Sequence, residues 1–144
     1  MMRRINVLVF IFTMTPELKF LLLKRVPEKG GFWQPLSGGI ELDEMPDGAV
    51  RRELYEETGI QDIVRVLNLN YSFTHDTPKN GVLMHQEDIC YAVEVVGAAK
   101  IALSHEHNEY RWCSLEEVRL LLQWEPAVLV LEKLVRLLKS QHLT

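Results

Sequence analysis

The stretch that most restricts the fold is PDGAVRRELYEETG, from Pro46 to Gly59. Proline in a first turn and glycine just past a last turn are helix start and stop signals, and together they predict a helix over Pro46–Thr58. Met45 is a poor N-cap, so tertiary contacts must hold that start. At 100° per residue, Glu53, Glu56 and Glu57 fall within about a 100° arc. Ala49 and Val50 lie in or beside the arc and Leu54 follows on the Val50 side, while Arg51, Tyr55 and Thr58 point the other way. The acids therefore flank the buried face. Like charges at i, i+3 and i, i+4 repel by a few tenths of a kcal/mol in water, and by more where solvent is excluded. Arg52, four residues before Glu56, supplies one orienting charge, but one guanidinium does not balance three carboxylates. A hard divalent cation with oxygen ligands does, and Mg²⁺ or Mn²⁺ suits such a cluster. Taken by itself, the helix leaves a solvated acidic face equally open.

The patterns around it set the fold class. Strand patterns run over Ile5–Phe12, Leu18–Val26, Ile63–Phe73 and Asp88–Val95, with a shorter one at Tyr110–Cys113. SLEE places Ser114 and Glu117 as a capping box for a second helix. A third follows Pro126, with Val128, Leu131, Val135 and Leu138 in one apolar stripe. Strands and helices interleaved in this way predict an α/β domain whose mixed sheet is covered by helices. With 144 residues and 47% apolar content, one domain spanning 1–144 is expected.

The N-terminal MMRRINVLVFIFTM has the basic-then-apolar order of a signal peptide. Asn6 interrupts the run and no small-residue cleavage site succeeds it, so an internal strand is the reading. No apolar run reaches the length of a membrane span. Cys90 and Cys113 lack a C-x-x-C partner and read as reduced thiols of a cytoplasmic protein. The net charge of −4 provides no basic field for nucleic acid or anionic lipid, so an anionic partner needs a local Arg/Lys cluster or a bridging metal.

From Gly38 the chain counts five residues to Glu44 and seven more to Arg52, then reads Glu53, Leu54, Tyr55, Glu56, Glu57, Thr58, Gly59, Ile60. This resembles the complete signature of the Nudix hydrolases, over 38–60. At average composition its chance probability at a given start is on the order of 10⁻⁹ or less. The resemblance implies an α/β/α sandwich with a mixed β-sheet, and metal-dependent hydrolysis of a phosphoanhydride in a nucleotide-like small molecule. It assigns Glu53, Glu56 and Glu57 to the metal, with the Gly38 carbonyl as a further ligand, Arg52 as the residue that orients the carboxylates, and Glu44 as the brace between loop and helix. Mg²⁺ is the implied cofactor, with Mn²⁺ as a substitute.

Outside the box, FWQPLSGGIE is similar to the F-W-Q-x-V-T-G-x-x-E lead-in of dihydroneopterin triphosphate and dATP pyrophosphohydrolases. LSHEHNEYRWCSLEEV resembles their E-H-x-x-Y-x-W segment, and LLQWEPAVLVLEKL resembles the adjoining C-terminal segment of the same enzymes. The subgroup's extra acid, for metal or water activation, then falls on Glu106, with Glu109 as the fallback register. Phe32 and Trp33 are candidates to stack a base or pterin, Gln34 belongs to the same lead-in, and Lys24 and Arg25 end a strand within reach of phosphates. His107, beside Glu106, is a candidate proton carrier. His75, His85, His105, His107 and His142 make no zinc spacing.

Two departures from the pattern stand out. Asp43 replaces the family's usual glycine, which the loop tolerates if it needs a left-handed backbone there. THDTPKNGVLMHQED, residues 74–88, differs from the subgroup in a region where loops contribute to substrate choice. The expected reaction gives a monophosphate and pyrophosphate from a nucleoside or pterin triphosphate, with Glu53 or Glu106 as base. Cleavage of dinucleoside polyphosphates or oxidised nucleotides, and a non-catalytic nucleotide sensor, are the alternatives.

Overall fold

The computed structural model describes residues 2–142; Met1, Leu143, Thr144 and the His142 side chain lie outside the described residues. The elements run β1 (Met2–Thr13), β2 (Lys19–Arg25), a 3₁₀ turn (Pro27–Lys29), β3 (Trp33–Gln34), β4 (Leu36–Gly39), α1 (Pro46–Thr58), β5 (Ile63–Lys79), β6 (Val82–Val95), β7 (His107–Cys113), α2 (Leu115–Leu121) and α3 (Glu125–His142). The sheet order is β3-β2-β1-β6-β5, with β4 added to β1 and β7 to β2. It is a mixed sheet: β1 runs parallel to β6 and antiparallel to β2 and β4.

β1 is the centre, which disposes of the leader reading of its apolar run. From Val7 to Phe12 it is buried on both faces, as a strand covered on two sides must be. Leu8, Phe10 and Phe12 join Leu131 and Leu134 of α3 in one core, and Val7, Val9 and Ile11 join Ala49, Val50 and Leu54 of α1 in another. Period-two alternation along one strand thus feeds two apolar layers. The expected α/β/α sandwich is the observed architecture. Both cysteines are free and buried, and burial raises Cys90 to about 12 and Cys113 to about 11. No helix among the described residues is long and apolar enough to cross a membrane.

Several local expectations match the structure. α1 spans Pro46–Thr58, no side chain caps it at Met45, and Gly59 closes it with a left-handed φ of 77°. Asp43 has φ 64°, the conformation that Asp accepts better than most residues. The Ser114–Glu117 capping box is reciprocal, Ser114 N donating to Glu117 (2.8 Å) and Glu117 N to Ser114 Oγ (3.2 Å). Ser114→Ala should therefore cost about 1 kcal/mol of unfolding free energy, read from urea denaturation.

Other expectations need correction. Thr58 does not face solvent: it is 1% exposed, because the Ile101–Leu103 segment folds over the end of α1 and Ala102 N donates to the Thr58 carbonyl (2.9 Å). The fifth and sixth strands do not stop at Phe73 and resume at Asp88. They continue to Lys79 and restart at Val82 around a two-residue Asn80–Gly81 turn, both residues at positive φ (52° and 76°), as type I′ hairpins require. Residues 74–88 are thus a hairpin and not a loop, and its 84–88 arm also pairs with β1. β3 and β4 also turn part of the Gly30–Glu44 stretch into sheet.

Candidate active site

Arg52 organises the site from behind. Its Nε and Nη2 grip Glu44 (2.8 and 2.9 Å), its Nη1 reaches Glu53 (2.8 Å) and Glu56 (3.0 Å), and Nη2 also donates to the Gly39 carbonyl (2.8 Å). The planar fork of an arginine is suited to such multiple recognition. One side chain thus fastens the loop Gly39–Glu44 to α1 and orders two of its three acids.

These contacts leave a pH signature. Hydrogen bonds from Arg52, then from the Glu41 backbone N–H, draw the Glu44 carboxyl from 4.5 down to about 2, and Glu44 in turn raises Arg52. A depressed carboxyl stabilises the fold above its unfolded value, and that stability is lost as pH falls through the folded value. Glu44→Gln should therefore flatten the fall in stability between pH 4.5 and about 2, checked by denaturation midpoints across that range.

Glu53 and Glu57 are each 8% exposed and Glu56 is open to solvent. Burial raises Glu53 above the ordinary carboxylate range against the pull of Arg52. Burial pushes Glu57 the same way, but His107 and Ser104 outweigh it and hold Glu57 low. Ser104 Oγ donates to Glu57 Oε2, and His107 Nδ1 stands 3.5 Å from the same oxygen. Gln34 Nε2 meets His107 Nε2 at 2.9 Å, while the buried His107 Nδ1 approaches Glu57 without a hydrogen bond. Gln34 is thereby occupied with His107.

Glu53, Glu56, Glu57, Gly38 and Glu106 line one cleft of about 1270 Å³, which Arg25, Phe32, Trp33 and Gln34 also line. Arg52 stands outside that wall. Glu106 lies 3.5 Å from Lys29, and Glu109 pairs instead with Lys24 (3.3 Å). Arg25 sits 6.0 Å from the Phe32 ring, and Lys24 5.8 Å from Trp33. Arg4, Lys29 and Lys79 join Arg25 in the cleft. Burial, then the charge of Arg4, lowers Lys79. The sequence reading missed Arg4, Lys29, Lys79 and Ser104, which no local spacing connects.

Among the described residues, no three His, Cys, Asp or Glu side chains stand together as a metal cluster. The donor set nevertheless suits a hard cation, being carboxylate oxygens that line one cleft. Gly38 explains part of this arrangement: a Cβ there would meet the Glu53 carboxylate at 2.1–2.4 Å. A side chain there would push the Glu53 carboxylate out of its place beside the strand.

A family model for the NUDIX domain matches residues 2–134. The chain belongs to that family. It is 40% identical over 99 residues to an octanoyltransferase from Myxococcus xanthus, which is 67% of this chain and 27% of that protein. It is 33% identical over 101 residues, 69% of each chain, to a CTP pyrophosphohydrolase from Escherichia coli. The chain spans about a quarter of the length of the first curated relatives it matches. Among solved structures, a NUDIX hydrolase from Listeria monocytogenes superposes with a TM-score of 0.80 at 26% identity, covering 96% of this chain and 97% of that one. The E. coli dihydroneopterin triphosphate pyrophosphohydrolase gives 0.77 at 18% identity, over 92% and 97%, a likeness of fold. In this NUDIX domain, Arg52 ties together Gly39, Glu44, Glu53 and Glu56, all within residues 38–60.

Proposed function

We propose that this NUDIX domain, acting as one unit over 1–144, hydrolyses a phosphoanhydride of a nucleoside or pterin triphosphate to the monophosphate and pyrophosphate. The observation that carries this reading is one cleft lined both by three acids of α1, two of them bound by Arg52, and by Arg4, Arg25, Lys29 and Lys79. Glu53, Glu56, Glu57 and Glu106, with the Gly38 carbonyl, would hold Mg²⁺, or Mn²⁺ in its place. A cation so bound neutralises phosphate oxygens and makes water more acidic. Arg25 and its cationic neighbours take the outer phosphate oxygens, and Phe32 and Trp33 offer faces to the ring. Glu53 or Glu106 would accept the proton of the attacking water; burial raises Glu53 above its ordinary value, and each acid also meets a cation, Arg52 and Lys29 respectively. The setting is the cytoplasm, with no nucleic-acid or membrane partner.

The test is a panel of nucleoside triphosphates, dinucleoside polyphosphates, oxidised nucleotides and dihydroneopterin triphosphate with Mg²⁺ or Mn²⁺. Pyrophosphate and phosphate release are measured separately. Pyrophosphate release from a triphosphate supports the reading. Tight binding of one member with turnover of none assigns the domain to sensing.

A further inference from the structure

We propose that a polar cluster anchored on Asp88 reads the ring of the substrate and selects heterocycles bearing an exocyclic amino group; this deepens the nucleotide-hydrolase reading of the same cleft and rests on it. The cluster comes from three neighbouring strands. β1 supplies Asn6, β6 supplies Gln86 and Asp88, and β5 supplies His75, with Asn6 opposite Asp88 and His75 opposite Gln86 in the register.

Asp88 is 1% exposed, and a buried carboxylate requires donors around it. It has three. Asn6 Nδ2 and Gln86 Nε2 donate to Oδ1 (2.8 and 2.9 Å), and His75 Nε2 to Oδ2 (2.8 Å). An ionised carboxylate only accepts. His75 must therefore carry its proton on Nε2, and Gln86 must turn its amide nitrogen inward. The 3.5 Å approach of Gln86 Nε2 to His75 Nε2 is between two donors aimed at the same carboxylate.

The consequence lies on the outward side. In the neutral imidazole, Nδ1 is an acceptor, and Gln86 Oε1 is an acceptor by nature. Neither atom has a hydrogen bond among the described residues, and Gln86 as a whole is 8% exposed. Both residues line the cleft. The His75 ring packs beside Phe73 (5.8 Å, 29°) and Trp124 (5.0 Å, 73°), which also meet each other (5.5 Å, 67°), and Trp124 is 42% exposed and lines the same cleft. Two fixed acceptors beside an aromatic wall match a flat ring that presents N–H donors. An amino group meets them, whereas an oxo group sets acceptor against acceptor. Sites built around a substrate N–H reject analogues that lack it, because the protein's own polar atoms are left unpaired.

Monophosphates without added metal separate this subsite from the hydrolytic centre. Calorimetry with the pH varied, since a protonated imidazole donates from both nitrogens, compares AMP with IMP and CMP with UMP on the intact chain. The amino member of each pair should bind about tenfold or more tightly, and AMP should move the ¹⁵N resonance of His75 Nδ1. His75→Phe and Gln86→Met, checked for folding by circular dichroism, should bring each ratio to within about threefold. Equal binding within both pairs, no binding at all, or an unmoved His75 resonance overturns the proposal, and the wild-type measurements decide it even if a variant fails to fold. Triphosphate turnover without amino preference would remove this inference alone. Amino preference without turnover of any triphosphate would remove the hydrolytic reading and leave the subsite.

Discussion

Glu57→Gln is expected to lower turnover of the best triphosphate by about 10³-fold, with a modest fall in the thermal midpoint measured in EDTA, because a carboxyl held low stabilises the fold. The substitution keeps size and removes charge at an acid that is 8% exposed and held anionic by Ser104 and His107. Neither Ser104 nor the cation cluster replaces that charge. The same variant should lose the stabilisation that a saturating divalent cation confers on the native state, which is about 2.7 kcal/mol at a roughly hundredfold excess over Kd. Steady-state kinetics with scanning calorimetry in Mg²⁺ and in EDTA checks both effects. Unchanged turnover in Glu57→Gln would contradict the assignment of the site.

Removing Arg52 should injure both fold and activity. Its guanidinium meets Glu44, Glu53, Glu56 and the Gly39 carbonyl, and it is 23% exposed as a side chain. Arg52→Met leaves those acids facing one another without their counter-charge, which should cost about 3 kcal/mol of stability and at least about 10²-fold in turnover. Arg52→Lys restores a charge but not the fork, and should recover only part of either loss. Urea denaturation and initial rates on the two variants give the measure. Full recovery in the lysine variant would mean that charge alone, and not the geometry around Glu44 and Gly39, is what the site needs.

The parts legible in the sequence were those whose physics is local. Helix α1 was readable because Pro46, Gly59 and the spacing of Glu53, Glu56 and Glu57 all act within about four turns of chain. The conformation of Asp43 and the Ser114 cap were readable for the same reason. β3 and β4, two and four residues long, are too short to show alternation. The hairpin at Asn80–Gly81 carried a turn signal, but its polar residues alternate with half-buried ones without an apolar stripe, so the strands around it looked like loop. Thr58 was misplaced because its cover comes from Ile101–Leu103, far along the chain.

The cleft's polar groups were hidden by distance in sequence. Asn6 was visible only as an interruption in an apolar run, and Asp88 only as the start of a strand. Their contact joins positions separated by 82 residues. Likewise Gln34 and His107, 73 apart, each drew notice singly, but their contact exists only because β2 lies between β3 and β7.

The central claim is that the acids of α1 hold a divalent cation in the cleft, and Mn²⁺ binding followed by electron paramagnetic resonance tests it most directly. Wild-type protein should deplete the signal of free Mn²⁺ in a saturable way, Mg²⁺ should restore it by competition, and Glu53→Gln and Glu57→Gln should each weaken the depletion by at least about tenfold. Depletion of equal size in wild type and both variants, or none in any of them, would contradict the account.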